Sequence, residues 1–201
     1  SLAANVIANS TEASINDRTF DADGEVVDGV TAASDVDAGG SLAITAMDTS
    51  SIDSLGIGVS GAGSVAVGVA LTANVITNDI AASITGATVD SGGSVGLEAE
   101  SSAIIRAISI GVSGSGTVAV QVTAMGNVVT NSVSAAITDA TVVAADDVSL
   151  TASDLAPAII PDWIVSADDM ADINDSLADS PIDMDANILA LNISVAGSGT
   201  V

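Results

Sequence analysis

Asn74-Val75-Ile76-Thr77-Asn78 returns 53 residues later as Asn127-Val128-Val129-Thr130-Asn131. The same offset carries Ile57-Gly58-Val59-Ser60-Gly61 onto Ile110-Gly111-Val112-Ser113-Gly114, and Ala87-Thr88-Val89 onto Ala140-Thr141-Val142. Residues 54–73 share 10 identities in 20 with 107–126, and 74–100 share 13 in 27 with 127–153, both without a gap. A chain that repeats at this scale is read as a stack of like units before anything else.

A first copy opens at Asn5-Val6-Ile7-Ala8-Asn9, and a third ends on Gly197-Ser198-Gly199-Thr200-Val201. Their offsets exceed 53, and the surplus falls at about 18–33 and 155–184. The 201 residues therefore divide into modules of about 5–73, 74–126 and 127–201 within one segment, 1–201, with two insertions. Both aromatic residues, Phe20 and Trp163, lie inside the insertions, as do all three prolines. The chain opens mid-pattern without an initiator Met, and so is expected to be a processed or excised piece of something longer.

Inside a module the period is two. Val65, Val67 and Val69 alternate with Ser64, Ala66 and Gly68; Ile76, Ile80, Ala82 and Ile84 share a face, as do Ile108, Ile110 and Val112. Such alternation of β-branched residues marks strands whose apolar side is expected to be buried. Turn signals separate them at Asp37-Ala38-Gly39-Gly40, Gly61-Ala62-Gly63, Asp90-Ser91-Gly92-Gly93 and Gly114-Ser115-Gly116. The pattern predicts an all-β fold, a parallel β-solenoid (β-helix). Four strand segments per module suggest two coils of about 26 residues each, and a rod some 35 Å long at ~4.8 Å per coil. Ile57, Ile110 and Ile193 should then stack in equivalent sites. An array of antiparallel β-hairpins is the alternative, with Ile104–Val112 and Thr117–Ala124 flanking a Gly-Ser-Gly turn.

Composition removes many functions. The chain has no His, Cys or Lys and a formal charge of -24. Imidazole bases, thiol nucleophiles and Schiff-base lysines are absent with them. The acidic field repels nucleic acid, which is excluded as a partner, and anionic lipid. No apolar stretch is long enough for a helical membrane span, so no direct membrane insertion is expected. Carboxylate pairs such as Asp146-Asp147 and Asp168-Asp169 exist, but nothing accompanies them that a sugar cleft or lyase needs, and no enzyme is expected.

The run Ser94-Val95-Gly96-Leu97-Glu98-Ala99, Ile108-Ser109-Ile110-Gly111-Val112 with its Gly-Ser-Gly turn, Val118-Ala119-Val120, Asn127–Asn131 and Ala136-Ile137-Thr138-Asp139-Ala140-Thr141-Val142 resembles repeats of giant bacterial filamentous surface adhesins, filamentous-haemagglutinin-like and leukotoxin-like. The resemblance implies a β-solenoid shaft displayed outside the cell, at the bacterial surface, and it brings no catalytic residues. Self-association head to tail, or covalent continuation in a longer array, would follow, with Leu2, Val195 and Val201 at the axial interface.

The insertions are where binding would be added to a scaffold. Asp21, Asp23, Glu25 and Asp28 space acids as a weak Ca2+ loop does, although the EF-hand anchor positions would be Thr19 and Val30. No other cofactor is indicated. In the second insertion Ser166 and Asp169 form a capping box, and Met170, Ile173 and Leu177 recur at helical spacing, so a short helix is expected there with Trp163 as its anchor. A surface module that uses these insertions to recognise a cation, a glycan or a neighbouring protein is the alternative function. Two features stay open. Asn5, Asn74 and Asn127 fit either an amide ladder or left-handed turn positions, and Asn9, Asn174 and Asn192 match the short glycan-acceptor pattern.

Overall fold

The computed structural model describes residues 1–23, 25–31, 34–157, 172, 175, 176 and 186–199. The strands in chain order are β1 (Leu2–Asn16), β2 (Arg18–Phe20), β3 (Val26–Thr31), β4 (Asp35–Ala38), β5 (Leu42–Ala62) and β6 (Val65–Thr85). They continue with β7 (Thr88–Ser91), β8 (Val95–Ser115), β9 (Val118–Thr138), β10 (Thr141–Ala144), β11 (Val148–Leu155) and β12 (Ile188–Ser198). Parallel pairing assembles β1-β6-β9 into one long sheet and β4-β7-β10 into a short one. A second long sheet has β5 on one side of β8, with β11 and β12 end to end on the other. This is a parallel β-solenoid.

The coil is twice the size expected. Val65 pairs with Val118 and Ile57 with Ile110, so a full 53-residue module makes one turn of the stack. The uninterrupted middle turn contains two strands of 21 residues and one of four. At ~3.3 Å per residue the long strands reach ~70 Å, and three coils at ~4.8 Å make a thin blade, wide across the stack and short along it. Two coils per module would need four short strands. Instead, alternate residues point inward through the whole length of each 21-residue strand.

The column Ile57–Ile110–Ile193 forms as expected. The hairpin alternative does not: β8 and β9 pack against each other across the interior, yet each takes its ladder bonds from neighbouring coils. The Gly-Ser-Gly segment between them is an arc that carries the chain from one sheet to the other. A Cβ on Gly116 would run into the carbonyl oxygen of Gly63 in the coil above, so this arc accepts only glycine there. The opposite corner, before the short strands, uses the left-handed region: Gly86 has φ 65° and its column partner Asp139 has φ 50°. Aspartate is among the few side chains that tolerate that region.

The insertions leave at fixed points of this frame. The first lies between β1, which ends opposite Thr85, and β4, which resumes opposite Thr88. It contains the β2–β3 hairpin, the antiparallel pair among the described strands. The second lies between β11, ending opposite Ser102, and β12, resuming opposite Ile105. Of the expected helix, Asp172, Asp175 and Ser176 are described and helical, and the Ser176 hydroxyl donates to the Asp172 carbonyl at 2.7 Å.

The interior is laminated along the blade. Next to the short sheet, one apolar cluster gathers Ile80, Ile84, Val89, Val95 and Leu97, each 0–1% exposed. Farther along, Ile52, Ile76, Ala103, Ile105 and Ala107 form a second. Asn78 and Ser50, bonded across the two sheets at 3.3 Å, stand between them. Toward the arc the two sheets pinch together. A methyl added at Gly58 would sit 2.9 Å from the Ala70 Cβ and 3.4 Å from the Val69 carbonyl. Only Gly, Ala, Ser and Thr fit at most inward sites here, and Gln121 fills the room left by its column partner Gly68.

That pinch inverts the expected orientation of the valine ladder. Ala66 and Ala70 point inward and are 3% and 0% exposed, while Val65, Val67 and Val69 point outward. The same holds for Leu55, Ile57 and Val59, and for Ile108 and Val112. Close packing admits no void and no overlap, so a gap too narrow for valine takes alanine and sends valine to the other face.

Candidate functional site

The most ordered polar feature is a ladder of amides. The Asn5 Nδ2 donates to the Asn74 Oδ1 at 2.8 Å, and the Asn74 Nδ2 donates to the Asn127 Oδ1 at 2.7 Å. Asn74 is fully buried, and its Nδ2 also donates to the Ser54 Oγ of the facing strand at 2.9 Å. Parallel in-register stacking brings identical side chains one coil apart, within amide reach, so the ladder reading prevails over the turn reading. The Asn9 and Asn131 amides instead cross the interior to Asp48 and Asp154, each at 2.9 Å. The Asn192 amide is engaged with Thr123, receiving its hydroxyl and donating to its carbonyl.

The acidic cluster of the first insertion serves its own turn. The Asp21 Oδ1 accepts the backbone N–H groups of Asp23 and Glu25, each at 2.9 Å. Asp28 lies in β3. Among the described residues, no three acids converge to hold a metal ion. Asp146 and Asp147 occupy the exposed turn before β11, where the Asp147 carbonyl accepts the Val95 N–H at 2.9 Å. Trp163, Met170, Ile173, Leu177 and Val201 lie outside the described residues.

The expected axial residues fall on the end coils, at opposite ends of the stack. Leu2 is on β1, opposite Leu71, and 79% exposed; Val195 is on β12, opposite Val112, and 54% exposed. Both point to the outer face of their sheet, not into the layer between coils.

Two surfaces remain as candidates for contact. The first is the pair of axial ends. The outward edges of β1, β4 and β5, and those of β9, β10, β11 and β12, carry no ladder partner among the described residues. The core layer is complete in the middle coil. In the end coils it is only half-covered at Ala13, Ile15 and Val36, and at Val133, Ile137 and Val142. Between β1 and β5 the interior opens as a recess of about 470 Å³ reached by Asn5, Ile7 and Ile52.

The second surface is the outside of the pinched end, aliphatic on both sheets. Residues 54–78, 107–138 and 186–201 contain no charged side chain. The charges begin at the Asp53–Arg106 ion pair, 3.0 Å across adjacent coils, and at Asp79. Sequence patterning located these outward residues but assigned them to the core. The signal for the inversion was present in the small inward sets Gly56-Gly58 and Ala66-Gly68-Ala70, which face one another. No helix among the described residues is long and apolar enough to cross a membrane. Compared with family models, curated proteins and solved structures, the chain matches none of them.

Proposed function

We propose that the chain is a structural shaft segment of an extracellular bacterial filament or adhesin, whose coils stack axially on like coils. The observation that carries this reading is the half-covered core layer at both ends, framed by open parallel ladders. Each 21-residue end strand presents about ten N–H and ten C=O groups along its free edge. A like coil satisfies these groups and covers the apolar layer with the contacts already used inside. The contact is heterologous and propagates along one axis, where a two-fold contact would close. Display outside the cell rests on the resemblance to adhesin repeats and accords with a charge of -24 and the lack of Cys.

Blocking one edge tests the proposal. The Leu42 N–H donates to the Ser94 carbonyl at 2.8 Å, and in a parallel strand successive N–H groups alternate sides. The N–H of Met47, whose side chain points outward and is exposed, therefore faces the free edge of β5, and Met47→Pro removes a donor that no internal bond uses. Concentrated native chain should form thin fibres by negative-stain electron microscopy. The Met47→Pro chain, with an unchanged circular dichroism spectrum, should not lengthen. Native material that stays as single particles, or a proline variant that fibrillates equally, contradicts axial stacking.

A further inference from the structure

The exterior of the pinched end has no role in axial stacking. On the β1-β6-β9 sheet, Val67 and Val120 are 62% and 43% exposed; on the opposite sheet, Ile57 and Ile193 are 53% and 43% exposed. Soluble monomers seldom leave apolar rows of this extent in water. The outward run of β6 from Val65 to Val75 is ~36 Å long and three strands deep, so each face offers on the order of 500 Å².

We propose that this end is a lateral self-association surface: two copies overlap their uncharged ends face to face, with their acidic ends pointing in opposite directions. Three observations select a second copy. The charge of -24 would oppose any like contact, but 54–78 and 107–138 contain no charged side chain, and the charges of the middle coil lie beyond this end. Overlap in the same direction would lay Asp90, Glu98 and Glu100 of one copy beside those of the next. Overlap in opposite directions separates the acidic ends by several Debye lengths, each ~10 Å at 0.1 M salt. The two surfaces also share one lattice, with side chains every second residue along the strand and ~4.8 Å between coils.

A bilayer would accept the aliphatic rows, but not the free strand edges beside them, since hydrocarbon cannot satisfy backbone N–H and C=O groups. One face lies below the ~800 Å² per partner of a stable complex. Each uncharged end is therefore held between two opposed ones, and the contact strengthens as coils are added. This proposal does not depend on axial stacking.

Sedimentation velocity on the Met47→Pro chain keeps the two apart, because its axial edge is blocked. That chain should self-associate as its concentration rises toward ~100 µM, and added salt should not weaken the association, since the contact contains no ion pair. Adding Val67→Glu and Ile110→Glu, one on each face of the middle coil, should weaken it by more than about tenfold. Thr45→Glu, on the acidic half of β5, should leave it unchanged. If the double Glu variant loses its circular dichroism spectrum, Val67→Thr with Ile110→Thr should still give a several-fold loss. The proposal is overturned if the parent chain remains monomeric throughout, or if the folded double variants associate as well as it does. It is overturned equally if the chain stays monomeric in buffer and partitions into phosphatidylcholine vesicles, which would make lipid the occupant.

Discussion

Ile80→Ala is expected to lower the unfolding free energy by about 3–4 kcal/mol, whereas Val67→Ala, 13 residues earlier on the same strand, should cost under about 1 kcal/mol. Both are β-branched residues in the middle coil, and the alternation of the strand treats them alike until the pinch is considered. Ile80 is 0% exposed in the cluster beside the short sheet; Val67 is 62% exposed on the outer face. Removing the Ile80 side chain leaves a cavity among Ile84, Val89 and Leu97 that close-packed neighbours fill only in part. Removing the Val67 methyls exposes nothing new. Urea unfolding followed by far-ultraviolet circular dichroism measures both. Equal losses would mean that valine, not alanine, fills the pinched interior.

The second large effect is expected at the middle of the amide ladder. Asn74→Ala should destabilise the chain by about 2 kcal/mol, the cost of removing a buried amide and leaving its part-buried partners unpaired. Asn74 accepts from Asn5 and donates to Asn127 and Ser54, so its loss strands groups in three strands at once. Asn127→Ala, in an end coil where the ladder has one neighbour, should cost less. The two urea midpoints, compared at equal slope, check the ordering. A loss at Asn74 below about 0.5 kcal/mol would show that water replaces the ladder without penalty.

Much of this architecture was legible because parallel stacking copies sequence spacing into space. The 53-residue offset is the ladder register itself, and the two surpluses mark where β1 hands over to β4 and β11 to β12. The coil size was not legible in the same way. A period of two says that a segment is a strand but not where it bends, and Ser, Thr and Asn inside 65–85 look like breaks. Asn74 and Asn78 among them point inward and are satisfied across the interior, by Ser54 and Ser50. The side assignment failed for a related reason: hydrophobicity predicts the buried face only where the interior is wide enough for the larger side chain. At Gly58 and Ala70 the sheets are too close for valine, so shape outweighs transfer free energy there. The ladder could not be separated from a turn because both need Asn at equal spacing. Only the coil geometry decides between them.

The arrangement of one coil per 53-residue module carries both proposed surfaces, and a disulfide tests it directly. The native chain has no Cys. Ile57→Cys with Ile110→Cys places two thiols on the outer face of adjacent coils, open to a mild oxidant. Neighbouring strands lie ~4.8 Å apart, within the ~4.4–6.8 Å between Cα atoms that a disulfide spans. Two coils per module would put the same residues ~9.6 Å apart, beyond that reach. Non-reducing electrophoresis and peptide mass spectrometry of the monomeric fraction should therefore find the 57–110 bond within single chains. Thiols that stay free in folded monomer, or that bond only between chains, would contradict the one-coil stack and the surfaces built on it.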